Sequence, residues 1–252
     1  MNDVSRRVHV LPDAPALAQA VADHVVDVAR FTLAHKKRFD IALAGGSTPR
    51  AANALLAALP LRDLVDWALV RFFFSDERCV PPTDDESNFK MADETLLEPL
   101  EIAETQVFRM RGEDEPAAAA RAYAGVLRRE LGDPPVFDLV MLGMGPDGHT
   151  ASLFPGTDPL TDDDALVRAP YVEKFSTHRL TLTPRVINAA RYVSIAAGGA
   201  EKADALREVF EGPRDPLKHP VEIVAPAGGK LDWFVDAAAA AKLQTTEARP
   251  AT

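Results

Sequence analysis

Cysteine occurs once in the 252 residues, at Cys79, so no disulfide can close within the chain, which fits a reducing compartment. Long apolar runs are absent as well. None approaches the about 18 residues needed to cross a bilayer, and residues 1–12 lack the layout of a secretory signal. A cytoplasmic location is therefore expected. Positive charge is in deficit: 28 Lys and Arg against 38 Asp and Glu leave a formal net charge of −10. That balance argues against non-specific binding to nucleic acid or to an anionic membrane. A small anionic substrate is still allowed, since it needs only a local group of cations and helix N-termini. Also missing are a Cys/His cluster at metal-ligand spacing and a G-x-S-x-G elbow, so neither a metal nor covalent serine catalysis is expected.

What is present is ordinary for a globular chain: 47% hydrophobic and 26% charged residues, with no internal repeat and no low-complexity linker. Strand-like and helix-like segments alternate. Strands are expected at residues 8–11, 39–43, 70–74, 107–110 (weaker), 137–142, 179–182, 192–197 and 231–235. Helices are expected at 14–35, with Asp13 at the N-cap, and at 49–59, 88–97, 115–131 and 201–210, with a short one after residue 235. The rhythm implies an α/β fold, a Rossmann-like open, mostly parallel sheet with helices on both faces. Residues 1–243 read as one domain, and 244–252 as a polar, frayed tail.

Four loops follow strands, at the edge where an open α/β sheet binds ligands. The first is Gly45-Gly46-Ser47-Thr48-Pro49. Its glycines allow close approach of backbone to ligand, and hydroxyls at a helix start suit a phosphate; a plain strand-to-helix turn would look the same. It is not a Walker loop, because no lysine follows the second glycine. The second loop is Ser75-Asp76-Glu77-Arg78, three charges directly after three phenylalanines, with Asn88 beyond it either capping a helix or facing the cleft. The third runs from Gly143 to Pro155 and carries Asp147 and His149, a candidate general base with a carboxylate beside it. Gly143, Gly145 and Gly148 spell G-x-G-x-x-G, but Pro155-Gly156 stops any long helix. About 20 residues on stand Pro170 and Tyr171 instead of an acidic ribose ligand, so no dinucleotide cofactor is expected. The fourth group is Arg179 and Lys202. Lys202 opens a helix, where its charge opposes the dipole unless an anion accounts for it; a surface ion pair is the plain alternative.

Taken in order, these loops resemble the 6-phosphogluconolactonase family, relatives of the glucosamine-6-phosphate deaminases. The motifs that carry the resemblance are Gly45 to Pro49, Ser75 to Arg78, Ser87-Asn88-Phe89, Gly143 to Pro155, Arg179 to Thr183 with Asn188-Ala189-Ala190, and Lys202. The resemblance implies a cofactor-free hydrolase of the pentose phosphate pathway that opens a phosphorylated sugar lactone. It casts His149 as the base, with Asp147 orienting the imidazole or holding its loop. Arg78, or the backbone of the histidine loop around Gly145, would stabilise the oxyanion. Gly45, Gly46, Ser47, Asp76, Asn88, Arg179 and Lys202 would hold substrate, with the phosphate against Gly46, Ser47, Arg179 and Lys202. Which of Arg78 and Arg179 meets the phosphate and which the oxyanion stays open, and the chain is expected to be a monomer or small homo-oligomer. In the deaminase branch a glutamate usually stands five positions after the histidine. Phe154 holds that position here, which favours the lactonase. A non-catalytic sugar-phosphate sensor on the same fold would be expected to carry a DNA-binding helix-turn-helix, and an acidic chain whose strands begin at Val8 leaves no room for one.

Overall fold

The computed structural model describes residues 6–157, 160 and 164–244. Six strands form a wholly parallel sheet: β1 (Arg6–Leu11), β2 (Phe39–Leu43), β3 (Val70–Phe74), β5 (Leu139–Gly143), β9 (Tyr192–Ala197) and β10 (Lys230–Asp236). Their spatial order is β1-β10-β9-β5-β2-β3. Every residue of β2 is buried, as a strand must be when both faces of its sheet are covered. Phe72, Phe73 and Phe74 of β3 are at most 1% exposed, and each contributes about 2 kcal/mol by leaving water. Among the described residues there are six α-helices: α1 (Ala14–Leu33), α2 (Ser47–Leu56), α3 (Asn88–Ala92), α4 (Pro116–Leu131), α5 (Pro184–Asn188) and α6 (Ala203–Glu211). Asp13 caps α1 as expected, its carboxylate accepting the N–H of Ala16 at 2.8 Å.

The strand order turns at the boundary between β2 and β5. From β2 the chain moves outward to β3; from β5 it moves the other way, to β9 and β10. The β2–β5 ladder covers only Ile41↔Leu139 and Ala42↔Val140, whereas β2–β3 and β5–β9 each pair over five positions. Beyond Ala42 the two strands part, and the loops that follow them face each other across the gap. That crevice is the place where a doubly wound sheet takes its ligand.

Four expectations need correction. Residues 107–110 form no strand: Val107 makes one bridge to Phe72, and the side chain of Gln106 takes the carbonyls of Trp67 and Val70, which ends the pairing. Residues 237–241 are turns, not helix: after Ala240 N–H bonds the Asp236 carbonyl, the N–H groups of Ala241 and Leu243 reach back only three residues, to Ala238 and Ala240, so no helical ladder builds. The strand expected at 179–182, β8 (Thr177–Leu182), leaves the main sheet. It pairs antiparallel with β4 (Asp76–Arg78), β6 (Val167–Arg168) and β7 (Tyr171–Val172) in a small second sheet. The helix expected at 88–97 ends at Ala92 and continues as one π turn, Asp93–Leu97. Of the expected tail, residues 245–252 lie outside the described residues.

Candidate active site

The histidine loop leaves β5 and folds back on itself. Gly145 N–H donates to the carbonyl of His149 at 2.8 Å, Gly148 N–H to that of Gly145 at 3.0 Å, and the Thr150 hydroxyl to that of Gly143 at 2.8 Å. This closure sets Nδ1 of His149 in a short hydrogen bond with Oδ1 of Asp147. Gly145 has to be a glycine on steric grounds: a Cβ there would lie 2.0 Å from the imidazole and 2.7 Å from that carboxylate oxygen. Burial pushes the Asp147 carboxyl up, but the hydrogen bond and charge of His149, with the Nζ of Lys174 at 3.1 Å from Oδ2, outweigh it and hold it well below the usual carboxylate range. No described residue bonds Nε2 of His149, which is left for the cavity that the ring lines.

The cavity has two lobes that share Asp76, Arg78, His149 and Ala151. One, of about 240 Å³, lies over the β2–β5 gap and is bounded by Gly45, Gly46, Ser47, Gly145 and Lys202. Here α2 begins. Gly46 is its N-cap, takes φ 109° and supplies no side chain to the first-turn N–H groups, so those donors are free for an anion. Lys202 is 17% exposed, and its nearest carboxylate oxygen, on Glu201, is 3.7 Å away. The second lobe, of about 330 Å³, is bounded by Phe154, Phe175 and Arg179.

Arg78 and Arg179 are cross-strand partners in β4 and β8, which sets two cations side by side. Arg179 is 7% exposed and one of its terminal nitrogens, Nη1, is buried with no hydrogen-bond partner. Burial, and after it the charge of Arg78, pulls its pKa below the ordinary arginine value. Arg78 donates a short hydrogen bond to the carbonyl of Glu86. Asp76 stands on the wall between the lobes, accepting from Ser152 Oγ at 2.7 Å and Asn88 Nδ2 at 3.0 Å.

Two expectations shift. Arg179 lies in the second lobe, apart from Gly46, Ser47 and Lys202, because β8 belongs to the small sheet. Asn88 neither caps α3 nor lines the cavity. Ser87 is the cap, and the buried Asn88 amide holds Asp76. Glu77, named in the second loop but given no role of its own, is buried and accepts the N–H groups of Arg78, Asn88 and Phe89 and the Ser87 hydroxyl, tying that loop to α3. Its burial raises its pKa, with those backbone hydrogen bonds working against the rise. Ala151, with a left-handed φ of 46°, lines both lobes. Lys174 reaches Asp147 from a turn remote in sequence. The Lys174 contact leaves no local pattern, since it joins residues 27 apart in the chain.

Residues 12–233 match the family described as glucosamine-6-phosphate isomerases/6-phosphogluconolactonase. The chain belongs to that family. A 6-phosphogluconolactonase of Treponema pallidum is 41% identical over 208 residues, covering 81% of this chain and 84% of that protein. One from a Nostoc species is 36% identical, covering 95% and 99%. The solved structure of 6-phosphogluconolactonase from Trypanosoma brucei superposes with a TM-score of 0.85 at 29% identity, over 96% of this chain and 100% of that one. Phe154 stacks on the His149 ring, centroids 4.2 Å apart and planes 27° from parallel, so that face of the imidazole meets a hydrocarbon surface. Among the described residues, no group of three or more His, Cys, Asp or Glu could hold a metal ion, and no helix is long and apolar enough to cross a membrane.

Proposed function

We propose that the chain hydrolyses 6-phospho-D-glucono-1,5-lactone to 6-phosphogluconate, with His149 as the general base that activates water. The lactone-hydrolase activity rests on the curated relatives of 36–41% identity that carry that name. The mechanism rests on one observation: Nδ1 of His149 is engaged by Asp147, while Nε2 is unbonded where two cation-lined lobes meet.

Water is too weak a nucleophile near neutral pH, and a base in reach of it raises the rate by about 10²–10⁴. In this reading the phosphate lies in the first lobe, on the start of α2 at Gly46 and Ser47 and against Lys202. The lactone carbonyl then points toward Arg78, which borders both lobes, with Arg179 adding its charge from behind. Water attacks the carbonyl carbon as its proton passes to Nε2 of His149. The carbonyl oxygen becomes an oxyanion facing Arg78. Collapse of the tetrahedral intermediate breaks the bond to the ring oxygen, which takes the proton back from the imidazolium. The acid formed loses its own proton to solvent. Asp147 keeps Nδ1 as the N–H throughout and stabilises the transient imidazolium.

The isomerase half of the family shares the sugar phosphate, and Asp76 on the dividing wall would suit proton transfer. Both oxygens of Asp76 are occupied by Ser152 and Asn88, and Phe154 offers the histidine no proton relay, which favours lactone hydrolysis. The test follows decay of freshly made lactone by NMR with the parent protein, His149→Ala and no protein, since the lactone also opens spontaneously. The parent should accelerate decay and the folded mutant should lose about 10²–10⁴ of that acceleration. Full acceleration by His149→Ala would remove the base. No acceleration by the parent would shift the reading to the isomerase branch, with glucosamine 6-phosphate the next substrate.

A further inference from the structure

We propose that Lys174 is a positioning residue of this reaction, anchoring Asp147 so that the carboxylate holds His149 in the tautomer a base requires. The proposal rests on the reading of His149 as that base. Asp147 sits between Pro146 and Gly148, with its side chain 30% exposed. One oxygen, Oδ1, takes Nδ1 of His149 and, at 3.3 Å, its backbone N–H; the other, Oδ2, takes Nζ of Lys174 at 3.1 Å. With both oxygens engaged, rotation of the carboxylate would break bonds on both sides. Without the lysine, Oδ2 faces water and the carboxylate can turn away from the ring.

The segment that supplies Lys174 is itself held at the site. It is the 3₁₀ turn Glu173–Phe175, closed by Ser176 at φ 50°. The neighbouring Phe175 ring meets Phe154 edge-on, centroids 5.7 Å apart at 71°, and the Arg179 guanidinium lies 5.1 Å from its centre. Phe154 in turn is the ring stacked on His149. One short turn therefore reaches the base by two routes, an ionic one through Asp147 and an aromatic one through Phe154. Lys174 is 52% exposed, and an exposed ion pair contributes little to folding. Its effect belongs in turnover and ring geometry, where a merely structural role would leave no trace.

The experiment compares parent, Lys174→Met and Lys174→Arg by lactone kinetics, melting temperature and ¹⁵N NMR of the neutral His149 imidazole. The parent should show the proton on Nδ1. Lys174→Met should show a mixture of the two tautomers and a kcat lower by about three- to fivefold, the size expected of one exposed ionic contact, with KM and melting temperature unchanged. Lys174→Arg should restore both the tautomer and kcat. Parent-like tautomer and kcat in Lys174→Met would overturn the proposal. A rise in KM at constant kcat would also overturn it, by making Lys174 a substrate contact. Should His149→Ala prove fully active, the base reading would fall by itself, while the tautomer spectra would still report whether Lys174 holds Asp147.

Discussion

Each cation at the site has a different degree of commitment, and that decides what it can do for an anionic substrate. Lys174 is spent on Asp147, and Arg78 has one donor on the Glu86 carbonyl. Arg179 keeps a buried nitrogen without a partner, a costly state unless an anion or a polar ligand group arrives to take it. Lys202 makes a single long ionic contact, 3.7 Å from Glu201, and is mostly shielded from water. It lines the same lobe as the start of α2, so an anion lying between the two would be favoured. Lys202→Ala should therefore raise KM for the phosphorylated lactone by about tenfold or more, the size of a lost hydrogen bond to a charged group, with a smaller effect on kcat. Steady-state kinetics corrected for spontaneous hydrolysis would check this; an unchanged KM would take Lys202 out of the phosphate lobe.

Among elements, the decisive contact is between the loop after β2 and the start of α3. A Cβ on Gly45 would fall 1.8 Å from Oδ1 of Asn88, whose amide holds Asp76 on the wall of the cavity. The first two loops are thus locked together by an absent side chain. Gly45→Ala should cost about 1–3 kcal/mol of stability by overpacking, measurable by urea unfolding, and should lower kcat/KM as Asp76 shifts. In an Asn88→Ala background the same alanine should cost clearly less, because the clashing amide is gone. Equal costs in both backgrounds would show that the crowding is relieved elsewhere. The parting of β2 from β5 belongs to the same scale: two paired positions hold the strands, and the ligand crevice opens where pairing stops.

Across the whole molecule, acid stability should be set away from the active site, where α1 packs on β10. His24 lies on α1 with its ring 5.1 Å from that of Phe234 and its Nε2 buried without a partner. Burial lowers its pKa to about 4 from 6.5, with the nearby Asp232 working the other way and Arg7 and His9 adding to the fall. The folded protein therefore keeps His24 neutral while the unfolded chain protonates it. The stability from this group is complete above pH 6.5 and is lost as the pH falls toward 4, by about 3 kcal/mol in total. Urea midpoints between pH 7.5 and pH 4.5 should fall for the parent and fall less for His24→Leu. Parallel curves would assign acid sensitivity to other groups.

The sequence alone determined the six strands of the parallel sheet and the longer helices α1, α2, α4 and α6. The local pattern is enough to mark β2, β3 and β9 at their observed bounds, because each is a short, mostly apolar run, broken only by Asp40, Arg71 or Ser194, that ends in turn residues. The Asp-Gly-His loop was legible for the same reason: its glycines and its titratable pair are neighbours in the chain. Tertiary structure decided what depends on distance. It moved β8 into a second sheet, set Arg179 beside Arg78 and away from Lys202, turned Asn88 toward Asp76, and brought Lys174 to Asp147 from 27 residues away. Charged residues such as Lys174 and Arg179 look the same in sequence whether they face water or a carboxylate. Only the packing of the elements that carry them selects the partner, and with it the role.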